Sequence, residues 1–224
     1  MGPLTAPHWE ALTPETRQAF RRAAALPFID QFYLAGGTGL ALHLGHRLSV
    51  ALGLFSAAAD AVGPDVRAIL RETFDDPTLV ITHDKDGTFV ATWHGVGLSL
   101  FRLSQYPLVQ EPVRIGGMPL ASIEEIGAMK LAAITDRGTR KDLIDLYYIL
   151  RQTSIERLFE VAAAKYPRAR TLAITATRAL AYFVDAEALP MPRMLDRTPW
   201  PAMKRFLEQQ SLAAGRQQLD TLWP

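Results

Sequence analysis

Apolar positions recur along this chain with two different periods, strand-like and helical spacing mixed in the first half and helical spacing throughout the second. Thr13-Pro14-Glu15 combines an N-cap hydroxyl, a proline in the first turn and an early acid, and the spacing after it predicts a helix to about residue 25. Residues 32–35 (FYLA) are a short apolar run stopped by Gly36-Gly37, and Leu40, Ala41 and Leu44 then recur at helical spacing, giving strand, glycine turn, helix. Residues 49–55 (SVALGLF) form a nearly continuous apolar run with β-branched and aromatic members, as a strand covered on both faces would. A helix is expected over residues 65–74. Strand-like segments follow at 78–82, 88–93 and 96–103, the first two separated by a solvent turn over Asp84-Lys85-Asp86-Gly87, and together they read as a meander.

The pattern changes at Ser122. Ser122-Ile123-Glu124-Glu125 has the form of a capping box, and Ile126, Met129, Lys130 and Ala133 begin a helical pattern that continues in several helices to the end. Pro167, Pro190, Pro192, Pro199 and Pro201 punctuate this half, and Thr198-Pro199 is the expected opening of the last helix. The expected organisation is an α/β domain over residues 1–120 and a helical C-terminal domain over 121–224 packed on it.

Composition narrows the classes. A chain of 224 residues, 49% apolar and 21% charged, is long enough to bury a core and is ordinary in its usage. The absence of cysteine removes disulfides, thiolate nucleophiles and Cys-ligated zinc, and fits a reducing compartment, so the cytoplasm is the expected location. The N-terminal stretch MGPLTAPHWEALTPETRQ lacks a basic segment followed by an apolar run, and no uncharged apolar stretch reaches the ~18 residues of a membrane span. A formal charge of +1 gives no global attraction to polyanions and no signal for DNA; nucleic-acid contact would come from a local basic patch.

A glycine pair between a strand and a helix lets backbone approach a phosphate while the helix N-terminus offers free N–H donors and partial positive charge. A tight turn that needs positive φ is the plain alternative. The following residues change the weighting: Gly36-Gly37-Thr38, a short amphipathic helix, then His46-Arg47-Leu48-Ser49-Val50-Ala51-Leu52-Gly53-Leu54-Phe55. This resembles the strand-GGT, helix, HR-x-SV-x-L-x-F-F pattern of the AbiEii/AbiGii-type toxin nucleotidyltransferases, a branch of the DNA polymerase β-like fold. Residues 123–150, IEEIGAMKLAAITDRGTRKDLIDLYYIL, resemble the same family's A-x-K-x-x-A-I-x-x-R-G-x-x-K-D-x-x-D-L segment nearly position for position. The resemblance covers roughly residues 30–150. It implies a mixed sheet flanked by helices, followed by a helical C-terminal half.

In such enzymes the two open positions of SV-x-L-x-F-F are aspartates on alternate residues of a strand, so both carboxylates project from one face. They hold Mg²⁺, which bridges nucleotide phosphates and offsets charge in phosphoryl transfer. Here those positions are Ala51 and Gly53, neither of which can ligate a cation, and Ser99, where a third acid often stands, is neutral too. Asp84 and Asp86 have alternate spacing but fall in the expected turn, where Asp and Gly occur for backbone reasons. His43, His46 and His94 are too scattered to define a cluster, and His46 reads as a helix-end residue beside Arg47. No metal ligands are assigned.

The downstream motif is intact. Lys130 is either an amphipathic lysine with its stem on the core or, as the resemblance implies, a nucleotide-phosphate ligand. Arg137, Arg140 and Lys141 flank Gly138 as a basic turn, open to phosphate, RNA or water alike. Asp142 and Asp145 share one helix surface as candidate general bases or as partners of Lys141 or Arg140. The resemblance therefore implies Lys130, Asp145 and Asp142 as catalytic candidates and Gly36, Gly37, Thr38, Ser49, Lys130 and Lys141 as nucleotide-binding ones. The implied reaction is transfer of NMP from an NTP to an RNA or protein acceptor, with an antitoxin as partner. Loss of the paired acids points to impaired catalysis, and the alternative is a non-catalytic nucleotide-, RNA- or partner-binding protein.

Overall fold

The computed structural model describes residues 6–222. The first five residues of the N-terminal stretch discussed above and the last two residues of the chain lie outside it. The chain divides into two compact units, Met1–Ser122 and Ile123–Pro224.

In the first unit, α1 (Pro14–Ala24) is capped by Thr13, whose hydroxyl accepts from the Thr16 amide, and carries proline in its first turn. The strands are β1 (Tyr33–Ala35), β2 (Ala51–Ser56), β3 (Val80–Lys85), β4 (Thr88–Trp93), β5 (Val96–Arg102), β6 (Val113–Ile115) and β7 (Met118–Leu120), with α2 (Gly36–Leu44) and α3 (Pro64–Thr73) between them. Among the described residues they make one mixed sheet in the order β3-β4-β5-β2-β1-β7-β6. β2 lies between antiparallel β1 and parallel β5, and β3-β4-β5 is the expected antiparallel meander.

One sheet face builds the core. Leu52 and Leu54 of β2 and Leu98 and Leu100 of β5 are buried with Ala19, Phe20 and Ala23 of α1 and Leu70 of α3. The opposite face of β2 is open: Ala51 is exposed, and Gly53 and Phe55 are half-buried. The expectation of a strand covered on both faces is thus corrected; Ala and Gly lengthen an apolar run without adding surface that demands burial. Tyr33, Phe55 and Phe101 stack in series on this second face, with ring centroids 5.8 and 5.4 Å apart.

Two more departures have local causes. β3 continues through Asp84 to Lys85, so the turn is only Asp86-Gly87, both at positive φ (56° and 76°), the two-residue hairpin turn for which Asp-Gly is suited. β6 and β7 were not expected; each has three residues, and Pro119 lies inside β7.

The second unit is helical: α4 (Ile123–Asp136), α5 (Arg140–Ile149), α6 (Ile155–Lys165), α7 (Leu172–Ala179), α8 (Val184–Glu187) and α9 (Trp200–Leu222). Thr139 and Ser154 cap α5 and α6 by accepting from the amides of Asp142 and Arg157. α4 is the central helix, packed by α5, α6 and α7 and burying Ile126, Ala128, Leu131 and Ile134. Across α4 and α6, Lys165 Nζ meets Glu125 Oε1 at 2.6 Å with both side chains fully buried.

Candidate functional site

The first unit holds the glycine turn. β1 ends at Ala35 and α2 begins at once at Gly36, which has φ of 66°. No side chain caps this helix. Two half-buried glycines therefore stand at a helix N-terminus with amides unclaimed by a cap, the arrangement that suits an anion. Arg47, a buried residue, packs its guanidinium against the turn: a Cβ at Gly37 would lie 2.5 Å from Nη2, so any side chain there would displace the end of that arginine. The sequence pattern contains Arg47 but gave no reason to place it here, because the contact depends on the chain folding back after α2.

Thr38 and Ser49 face inward. The Thr38 hydroxyl donates to the Ala51 carbonyl and, its one proton spent, accepts from Ser49 Oγ at 2.7 Å. Both residues are buried. Their hydroxyls tie α2 to the start of β2, and in this arrangement neither is turned toward a ligand.

On the open sheet face, Ala51 and Gly53 are two residues apart on β2, and Gly53 is in register with Ser99 of β5. A methyl, a hydrogen and a neutral hydroxyl occupy the three positions. Magnesium, which the resemblance implies, does not fit this set, and among the described residues no group of three or more His, Cys, Asp or Glu side chains could hold a metal ion. Asp84 is no substitute: it lies in β3 and pairs with Arg67 at 3.0 Å and with Arg71. Asp86 is exposed in the hairpin turn. The histidines stay apart in role. His43 Nε2 bonds the Ala121 carbonyl at 2.8 Å, and burial lowers its pKa against the partly restoring effect of that carbonyl. His94 pairs with Asp76 at 3.1 Å, and His46 is buried just beyond the end of α2.

The second unit brings Lys130, Asp142 and Asp145 together. Lys130 Nζ lies 2.6 Å from Asp142 Oδ1 and 2.6 Å from Asp145 Oδ2, and Thr139 Oγ1 donates to Asp142 Oδ2 at 2.6 Å. All three charged residues are buried. Burial alone would lower the Lys130 pKa, but the charges of Asp145 and Asp142 outweigh it and hold the value above that of an ordinary lysine. The partner of both aspartates is thus Lys130, not Lys141 or Arg140. Arg140 instead donates to the Ala186 and Glu187 carbonyls at 2.9 and 3.0 Å, while Arg137 and Lys141 are exposed. Two of the three Lys130 protons are engaged by carboxylates, so the ammonium is neutralised within its own unit.

Comparison with known proteins identifies the class first. MenT4, a nucleotidyltransferase toxin from Mycobacterium tuberculosis H37Rv, matches in structure with a TM-score of 0.61 at 15% identity, covering 88% of this chain and 82% of its own. The fold is that of a nucleotidyltransferase. Protein aq_aa25 of Aquifex aeolicus (strain VF5) is 29% identical over 179 residues, which is 78% of this chain and 84% of the relative. The family model described as nucleotidyl transferase AbiEii toxin, type IV TA system, matches residues 18–221, and this chain belongs to that family.

Proposed function

We propose that this protein is an AbiEii-family nucleotidyltransferase in which transfer of NMP from an NTP to an RNA or protein acceptor is strongly impaired, while nucleotide binding persists at the Gly36-Gly37 turn. The observation that carries the reading is the open face of β2 and β5, where Ala51, Gly53 and Ser99 offer no carboxylate. Loss of a single electrostatic contact to a reacting group typically costs ~10²- to 10³-fold in rate, and here two metal ligands are missing. A non-catalytic nucleotide-, RNA- or partner-binding role is the second reading, favoured by the inward hydroxyls of Thr38 and Ser49 and by the carboxylates that already engage Lys130. An antitoxin as partner and the cytoplasm as location complete the proposal; the cysteine-free composition agrees with the latter, and among the described residues no helix is long and apolar enough to cross a membrane.

Calorimetric titration with each NTP, with and without Mg²⁺, tests this directly. Metal-independent binding is expected; micromolar binding that requires Mg²⁺ would overturn the impaired-site reading. The double variant Ala51→Asp/Gly53→Asp should acquire Mg²⁺-dependent binding and labelling of an acceptor. Position 51 is exposed, and a Cβ at position 53 would lie 3.3 Å from Phe55 Cε2, so the ring must yield by a few tenths of an ångström.

A further inference from the structure

We propose that the corner between α6 and α7, in the second unit, is a docking site for single-stranded nucleic acid. Residues 161–184 contain Lys165, Arg168, Arg170 and Arg178 and no aspartate or glutamate, although the whole chain is only +1, so the remainder is net acidic. Lys165 is accounted for by its buried pair with Glu125. Arg168, Arg170 and Arg178 are exposed, and among the described residues none of them has an ion-pair partner. The stretch is therefore a local concentration of uncommitted guanidinium groups on a molecule that does not attract polyanions as a whole.

Beside two of these arginines lies a recess. A groove of about 290 Å³ separates the end of α6 from the start of α7, lined by Phe159, Tyr166, Pro167, Arg170 and Leu172, with Arg168 next along the chain. Its walls are apolar and aromatic, and its charge is cationic. A guanidinium fork matches the geometry of a phosphate, and an aromatic wall offers a surface for an unstacked base. Both features together fit a strand that presents alternating phosphates and bases. An acidic protein segment would use the arginines and leave the aromatic recess idle; duplex, with its bases stacked inside, would do the same.

Anisotropy of a labelled single-stranded RNA of roughly 12 nucleotides, a span such grooves engage, measured over a salt series, gives the test. The wild-type protein should bind with an affinity that falls steeply with salt. Arg168→Ala/Arg170→Ala should weaken binding and reduce the slope of log K against log[salt] by about 1.4, since each phosphate contact to a single strand contributes ~0.7. Tyr166→Leu should weaken the RNA at least ~5-fold, the lower end of a base–aromatic stack, while leaving an abasic strand unaffected, and Tyr166→Phe should restore binding. The double arginine variant, changed only at exposed positions, keeps the experiment decisive if Tyr166→Leu fails to fold. An unchanged slope in that variant would overturn the proposal. Binding of polyglutamate as tight as that of the RNA would also overturn it, in favour of an acidic protein partner.

Discussion

At the residue scale, the second unit holds a buried lysine, Lys130, between two aspartates, Asp142 and Asp145. Removing one partner of a buried charge cluster exposes the rest to an uncompensated desolvation cost of about 3–5 kcal/mol. Lys130→Met should therefore lower stability by about that amount in urea, with Asp142 and Asp145 left facing one another. The pH dependence has a definite sign. The folded Lys130 pKa is raised, so its contribution is complete below the unfolded lysine value of about 10.4 and is lost as pH rises through the higher folded value. Thermal melts of the wild type should show this alkaline decline, and Lys130→Met should flatten it; a variant with unchanged stability would place Lys130 in ligand binding alone. The sequence motif singles out all three residues, yet their mutual contact is not legible there: Lys130 and Asp142 are on different helices, α4 and α5, which meet only because the chain turns over residues 137–139 and the two helices pack together. Arg47 was hidden in the same way.

At the scale of elements, α4 and α6 are joined by an ion pair between two fully buried side chains, Lys165 and Glu125. Such a pair adds little net stability, because desolvation consumes much of the Coulombic gain. A double-mutant cycle should show this. Lys165→Met alone should cost about 3–5 kcal/mol, and adding Glu125→Leu should recover most of the loss, ending near or above wild-type stability in chemical denaturation. Nothing in the sequence marks Lys165 as internal, since at the end of an amphipathic helix it reads as a terminal cation favourable to the helix dipole. The longer elements were readable because their periodicity runs over many residues: α1 from its Thr-Pro-Glu start, β4 and β5 from alternation, α4 from its apolar spacing. β6 and β7 are too short to show a period, and Pro119 argues against a strand on local grounds. Asp84 reads as a turn residue in the sequence because Asp86-Gly87, two residues later, is a strong turn signal, yet it lies in β3.

At the scale of the molecule, the first unit has a sheet whose middle is β5-β2-β1 and whose outer strands are β3 and β6. Hydrogen exchange should follow that order, slowest for the β2 and β5 amides over the Leu52, Leu54, Leu98 and Leu100 core and fastest for the unpaired edge of β3, where the pairing with β4 is also irregular between Ile81 and His83. Uniform protection across the sheet would contradict the assigned topology. Family and fold class were accessible from two stretches of sequence because those stretches set the strand-turn-helix unit and the α4–α5 corner. The open face of β2 has one more consequence. Two carboxylates side by side on a strand repel each other until a divalent ion arrives, which makes the ion a participant in folding. With a methyl at Ala51 and a hydrogen at Gly53, this strand carries no such debt, and the newly made chain can settle into its native sheet at any level of free magnesium in its surroundings.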